Sequence, residues 1–364
     1  MATSTKFTNA EILIYRSLLQ KDGCYGTDPG LVDENIVRLT NDFHVEPGRI
    51  NVISDSHSLE QELRLRQKKI LILPGGYTPF LAEDLKCIYP LIVNAVESGF
   101  LNVLGQCAGA NIMCDQFSNL SKNGINKHNI TQLSLLPLVA NTAVYPIETD
   151  KMLGELANRK IVSLQSNENQ KFMSLWHRGS RFEYTPTSKA RDMVRLIPMA
   201  YYNSPVVRDP KELKEKWMAA AYGIYPSGAK AVVVGPHIEV VEAEVPPAQV
   251  EACKSLRTDT GRHNLLKNIF ELLGVISQPP PSKIHIDVHG IQHKIIFSQK
   301  INKSTISITR NKHNIHALAP NTTKSIIPAI VPSPNRRNYG YYEQGRQTIY
   351  RIIKNASKIC KLKF

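Results

Sequence analysis

Residues 103–110 read VLGQCAGA: an apolar strand run that ends in a glycine-flanked cysteine with small residues immediately after it. A sharp strand-to-helix turn needs small residues on both sides of a reactive side chain, because the backbone there is strained and a neighbouring Cβ would clash. Cys107 is therefore read as a nucleophile. A buried core cysteine is the alternative fate of an isolated thiol. The spacing Gly105, Cys107, Gly109 weighs against it.

Two further stretches lie where a triad needs them. KKILILPGGY, residues 68–77, is a buried-strand pattern ending in Gly75 and Gly76, where backbone without side chains turns its N–H groups toward a ligand. Far downstream, AKAVVVGPHIEV sets an apolar strand, 231–234, ahead of a turn carrying His237 and, two residues on, Glu239. A carboxylate at that spacing is able to orient the imidazole.

The roles follow from chemistry. A free thiol with a pKa near ~8.5 is only slightly ionised at neutral pH and needs a base or a helix N-terminus beside it. A helix beginning near Ala108 directs N–H groups at the sulfur, His237 accepts the proton and Glu239 holds one tautomer. The N–H groups of Gly76 and Ala108 receive a developing oxyanion, worth ~10²- to 10³-fold in rate per donor. Gln106 and Tyr77, adjacent to these positions, are pocket candidates. So is Cys24, a second thiol after the first strand, for which a plain loop position is the competing reading. His177 and His44 have no ordered partner nearby in sequence and are read as surface or satisfied positions.

In this order and spacing, the PGG loop, G-x-C-x-G and H-x-E resemble the class I glutamine amidotransferase superfamily. More narrowly, the chain resembles the domain at the N-terminus of eukaryotic-type biotin-protein ligases, which also occurs alone in bacteria. ILIYRSLLQKDGCYGTD, LILPGGYTPFL, LGQCAGANIMCDQF and VVVGPHIEV followed by RHNLLKNIFELLG carry that resemblance, across residues 11–274. It implies Cys107 as nucleophile, His237 as base, Glu239 as orienter, and Gly75 with Gly76 as oxyanion loop. Departures are Ile238, where many superfamily members have Pro, and Tyr201, Tyr202, Asn203, Ser204, Pro205 in place of a glycine-rich stretch. The ligase half has no counterpart, with neither a GRGRxG-type loop nor a KWPND-type lysine motif, and no synthetase domain follows.

The expected function is a cysteine-dependent amide hydrolase or amidotransferase working through a thioester, with a small amide or γ-glutamyl substrate and, for transfer, a separate acceptor-activating enzyme. A catalytically idle relative whose tail engages a partner is one alternative. A cysteine peptidase or γ-glutamyl hydrolase is another. No cofactor is implied.

ILIY at 12–15, INVIS at 50–54, KILIL at 69–73, a helix through 81–97 and LNVL at 101–104 alternate strand with helix. That predicts an α/β fold with a doubly wound, mostly parallel sheet flanked by helices, binding its ligand beyond the carboxyl ends of the strands. Strand-rich pieces from about 160 to 234, with PSG at 226–228 as a hairpin turn, predict antiparallel edge additions.

The net charge of +14 is uneven: from Ile276 onward there are 15 Lys and Arg against Asp287 and Glu343, leaving the body near +1. A helix over 264–273, Gly274 as its cap and Pro279, Pro280 and Pro281 set the expected boundary at 277, with 278–364 a basic, partly disordered extension. Within it a hairpin is expected over 283–297. His285, Asp287 and His289 alternate onto one face there, read as a solvated strand face in preference to a metal site. A basic amphipathic helix is expected over 345–363, with an anionic surface, nucleic acid, an acidic protein or its own domain as partner. The first residues lack a signal-peptide pattern, no run of 18 apolar residues occurs, and the six cysteines show no paired framework. A cytoplasmic location is expected, with non-Sec export through the basic tail as an open route.

Overall fold

The runs EILIY, KILIL, LNVLGQ and KAVVV have apolar residues at both parities, and a strand of that kind is stable only when both its faces are covered. The computed structural model describes residues 10–21, 23–121, 124–127, 130–143, 159–185, 194–203 and 217–276, and the backbone of short strands between 282 and 319. The chain divides into two units, Met1–Ser277 and Gln278–Phe364.

The first unit is built on strands β1 (Glu11–Tyr15), β2 (Gln20–Lys21), β3 (Cys24–Tyr25), β4 (Ile50–Ile53), β5 (Lys69–Leu73), β6 (Leu101–Gln106), β7 (Cys114–Ser121) and β8 (Gly124–Lys127). They are followed by β9 (Leu136–Ala143), β10 (Arg159–Ser166), β11 (Lys171–His177), β12 (Ser180–Tyr184), β13 (Arg195–Tyr202), β14 (Met218–Ile224) and β15 (Lys230–Val234). The helices are α1 (Pro29–Val37), α2 (Ser56–Arg64), α3 (Thr78–Leu85), α4 (Tyr89–Glu97), α5 (Ala108–Met113), α6 (Val250–Lys254) and α7 (Thr260–Leu273).

The sheet runs β4-β1-β5-β6-β15-β14-β12-β9-β7-β8, with β13 on β14 and β10 between β13 and β11. Its first five strands are parallel. From β14 onward the additions are antiparallel except for β7 with β9. This is the α/β, mostly parallel arrangement with antiparallel additions that the alternation predicted. The hairpin at 226–228 joins β14 to β15.

Period-two alternation divides the core. Leu13, Leu71, Val103 and Val233 pack with residues of α2 to α5 on one face. Ile12, Ile14, Ile70, Ile72, Leu104, Val232 and Val234 pack with α1 and α7 on the other. Helix ends follow local chemistry. Asp28, Asp55 and Asp259 cap α1, α2 and α7 through their carboxylates, and Gly274 closes α7 at φ 83°.

Two expectations need correction. The single helix expected over 81–97 is two, because Pro90 lacks an N–H donor and its ring blocks the preceding turn; residues 86–88 form a 3₁₀ turn between α3 and α4. Among the described residues of the second unit, Asp287–Val288 pairs with Ile291–Gln292. Ser282–His285 pairs instead with His316–Ala319, and Ile295–Lys300 with Lys303–Ile308. A non-local partner for a polar strand is something alternation alone does not specify. The helix expected over 345–363, and His289, lie outside the described residues.

Candidate active site

The chain leaves β1 for β4 on one side and later returns to β5 on the other, so the strand order reverses between β1 and β5. Such a reversal opens a crevice beyond the carboxyl ends of the strands. A cleft of about 450 Å³ lies there, lined by Cys24 and Asp28 after β1, Gly76 and Tyr77 after β5, Cys107 after β6 and His237 after β15.

Cys107 sits at φ 48°, ψ −106°, a conformation that L-residues avoid at a cost of ~1–3 kcal/mol. Its neighbours show why the turn is made of small residues. A Cβ on Gly109 would run into the Leu73 carbonyl oxygen, and one on Gly105 would meet the backbone of Gly109 and Ala110. The backbone is held by Cys107 N–H donating to Val234 O at 2.8 Å and Asn111 N–H donating to Cys107 O at 3.0 Å. Cys107 is 7% exposed, and its Sγ lies 3.8 Å from the His177 carbonyl oxygen. The helix it precedes has only six residues, and the Cys107 side chain makes no capping hydrogen bond to it, so no long aligned dipole stands behind the sulfur.

His237 is fixed from both sides. Its N–H donates to Leu175 O at 2.7 Å, forming an antiparallel bridge to β11, and its Nδ1 lies 2.9 Å from Oε1 of the fully buried Glu239. Arg262 holds the intervening residue, donating through Nη1 to Ile238 O at 2.5 Å and through Nε to Leu256 O at 3.1 Å. Burial alone would push the imidazole toward neutrality. The negative charges and hydrogen bonds of Cys107 and Glu239 outweigh burial and hold its pKa well above the ordinary value.

The PGG loop closes the third side. Asp28 N–H donates to Gly75 O at 2.9 Å and Tyr77 N–H to Tyr25 O at 2.7 Å, pinning the loop against the segment after β1. A Cβ built on Gly75 would stand 2.6 Å from Leu31 Cδ1, 2.8 Å from His237 Cε1 and 3.3 Å from Cys107 Cβ. Gly75 is thus the point at which loop, thiol and imidazole meet, and any side chain there would displace the ring.

Of the residues expected from sequence, Cys107, His237, Gly76, Tyr77 and Cys24 line the cleft, and Glu239 stands behind His237. Gln106 does not. It is fully buried, with its amide paired reciprocally to Asn35 at 2.8 and 3.2 Å, because strand alternation turns it away from its neighbour Cys107 and under α1.

Sequence reading missed several cleft residues. His177, set aside as a satisfied or surface position, lines the cleft with its ring centroid 6.4 Å from that of His237. Burial first, then the charges of His237, Arg159 and Arg178, lower its pKa to about 3, so it is neutral at physiological pH. Arg159, Arg178, Asn111 and Thr142 also reach the cleft. Asn111 and Thr142 are joined through Ser180: Asn111 Nδ2 donates to Thr78 Oγ1 at 3.0 Å, Ser180 Oγ donates to Asn111 Oδ1 at 2.6 Å, and the Thr142 and Ser180 hydroxyls are 2.8 Å apart. The available signal was the position of His177 at the end of the strand KFMSLWH, a terminus facing the same crevice.

Among the described residues, no group of three or more His, Cys, Asp or Glu is arranged to hold a metal, and no helix is long and apolar enough to cross a membrane. No protein-family model matches the sequence, and no curated protein matches it significantly. Among solved structures, the chain is similar to a glutamine amidotransferase at 15% identity, over 71% of this chain and 98% of that one, with a TM-score of 0.40. It is also similar to a GMP synthase component from Thermoplasma acidophilum at 9% identity, over 73% of this chain and 94% of that one, with a TM-score of 0.36.

Proposed function

We propose that the chain is a cysteine-dependent amide hydrolase or amidotransferase of the class I glutamine amidotransferase type, akin to the N-terminal domain of biotin-protein ligases. The observation that carries this reading is the His237 ring, its Nδ1 2.9 Å from Glu239 Oε1, lining the same cleft as a cysteine held in a strained turn.

In the proposed reaction the Cys107 proton passes to His237, and the sulfur attacks an amide carbonyl carbon. The oxyanion that forms is received by the N–H groups of Gly76 and Ala108. Collapse breaks the C–N bond, His237 returns the proton to the departing nitrogen, and an acyl-thioester remains on Cys107. Water then attacks the thioester carbon with His237 as base, releasing a carboxylic acid and the free thiol. Glu239 keeps the ring in one tautomer throughout and stabilises its positive charge. For transfer rather than hydrolysis, the ammonia would be used by a separate acceptor-activating enzyme.

The test is incubation of the purified chain with glutamine, γ-glutamyl amides and capped peptides, following ammonia or amine release and the intact mass of the protein. Release that depends on Cys107, with an acyl adduct on that residue, is the expected result. Ammonia from glutamine identifies a glutaminase, and cleavage of the peptides alone identifies a peptidase. Release by Cys107→Ala equal to that of the wild type, with no adduct, would overturn the reading.

A further inference from the structure

The cleft beside Cys107 carries more positive charge than amide chemistry requires. Arg159 and His177 are directly opposed in the antiparallel pair of β10 and β11, so their side chains share a face of the sheet, and Arg178 follows at the turn into β12. That turn holds Arg178 at φ 55°. Both arginines line the cleft together with Cys107 and His237. Among the described residues, Arg159 donates only to the Glu244 carbonyl oxygen, at 3.3 Å, and no carboxylate pairs with Arg178. Among the described residues, the one acid lining the cleft is Asp28, whose Oδ1 already accepts the Gly30 N–H as the cap of α1. His177, neutral beside them, offsets neither guanidinium charge.

We infer that Arg159 and Arg178 form an anion-recognition subsite, and that the substrate of Cys107 carries a carboxylate or phosphate in addition to its scissile carbonyl. Guanidinium groups bind either anion through paired N–H donors. The inference rests on the reading of Cys107 as nucleophile, and its test separates the two.

Iodoacetamide and iodoacetate alkylate a thiolate by the same displacement: the C–S bond forms, the C–I bond breaks and iodide leaves. They differ in the charge they bring. Rates at Cys107, measured by mass spectrometry with each reagent, give a ratio to be compared with that of N-acetylcysteinamide in solution. Relative to that reference, the iodoacetate-to-iodoacetamide ratio at Cys107 is expected to be raised roughly 3- to 10-fold at low salt and to fall with ionic strength. Arg159→Gln with Arg178→Gln is expected to return the ratio to the reference, since any change in thiolate fraction alters both rates equally and cancels. Suppression of the iodoacetate rate by glutarate rather than inorganic phosphate assigns a carboxylate, and the reverse assigns a phosphate. A wild-type ratio at or below the reference, or one unchanged in the double variant, overturns the subsite. An iodoacetamide rate at Cys107 no faster than that of the reference thiol counts against the nucleophile instead, and the ratio still reports on the arginines.

Discussion

Cys107 is bonded through its own N–H to the carbonyl oxygen of Val234, at 2.8 Å, and Val234 is the last residue of the strand that delivers His237 three positions later. The thiol and the imidazole therefore share one mechanical support. β6 and β15 are parallel neighbours in register through Gln106 and Val234, and the hydrogen bond extends that register by one residue into the strained turn. An unfavourable φ persists where the surroundings over-determine it, and here the parallel ladder does so.

Selective reactivity of Cys107 follows. With limiting thiol-directed electrophile near pH 6, Cys107 is expected to be modified before the exposed Cys87, despite its burial. His237→Ala is expected to slow modification by about tenfold or more, because the thiolate loses its counter-charge. Peptide mapping of wild type and variant checks this. Equal labelling of Cys107 and Cys87 would exclude an activated thiol.

Glu239→Gln removes one of the two negative charges that hold the His237 pKa up against burial. The imidazolium of the variant is then lost at lower pH. Ring chemical shifts of His237 followed against pH by NMR in wild type and variant are expected to show its titration moved to lower pH, and an unmoved titration would exclude Glu239 as the group that holds it up. The second carboxylate oxygen, Oε2, is buried with no hydrogen-bond partner among the described residues, so His237 is the principal partner that Glu239 loses.

Gly75→Ala and Gly109→Ala should fail in different ways. At Gly109 the new methyl would meet the Leu73 carbonyl, backbone of a central strand that is unable to give way. Destabilisation of ~3 kcal/mol or more is expected in chemical denaturation. At Gly75 the obstacles are the flexible end of Leu31 and the His237 ring. There the fold should survive with a loss of ~1–2 kcal/mol, while Cys107 alkylation falls by about tenfold or more as the ring is displaced.

His177 gives a pH-dependent stability of definite sign. Its native pKa, lowered to about 3 chiefly by burial, is below the unfolded value, so the unfolded chain binds a proton that the native state refuses. That penalty is absent above the unfolded pKa near ~6.5 and grows as pH falls toward the native value. Between pH 7 and pH 5, wild type should lose about 1–2 kcal/mol relative to His177→Gln. Urea denaturation of both proteins at the two pH values measures the difference, and parallel losses would show that His177 takes up its proton freely in the native state.

Much of this architecture was legible in the chain itself. Apolar runs alternating with helical stretches made buried parallel strands, and Gly274 marked the end of α7. The small residues around Cys107 announced a turn too tight for a Cβ, which the Leu73 carbonyl over Gly109 explains. His237 and Glu239 were readable because two residues past a strand end is a distance that local backbone covers, and their 2.9 Å contact is a local one. Pro90 was equally visible, yet the apolar pattern continuing past it masked the break.

Sequence alone thus determined the local geometry: strand and helix type, the elbow at Cys107, and the pairing of His237 with Glu239 across two residues. Tertiary structure decided which strand ends face one another. His177, Arg159 and Arg178 reach the cleft because β11 pairs with β10 and because Leu175 bridges to His237, more than 60 positions away in the chain. Gln106 leaves the cleft because its nearest polar partner is Asn35 on α1. Alternation tells a residue which face it occupies and local chemistry tells it where to turn. The partner across the sheet is set by the packing free energy of the whole core, which no local stretch contains.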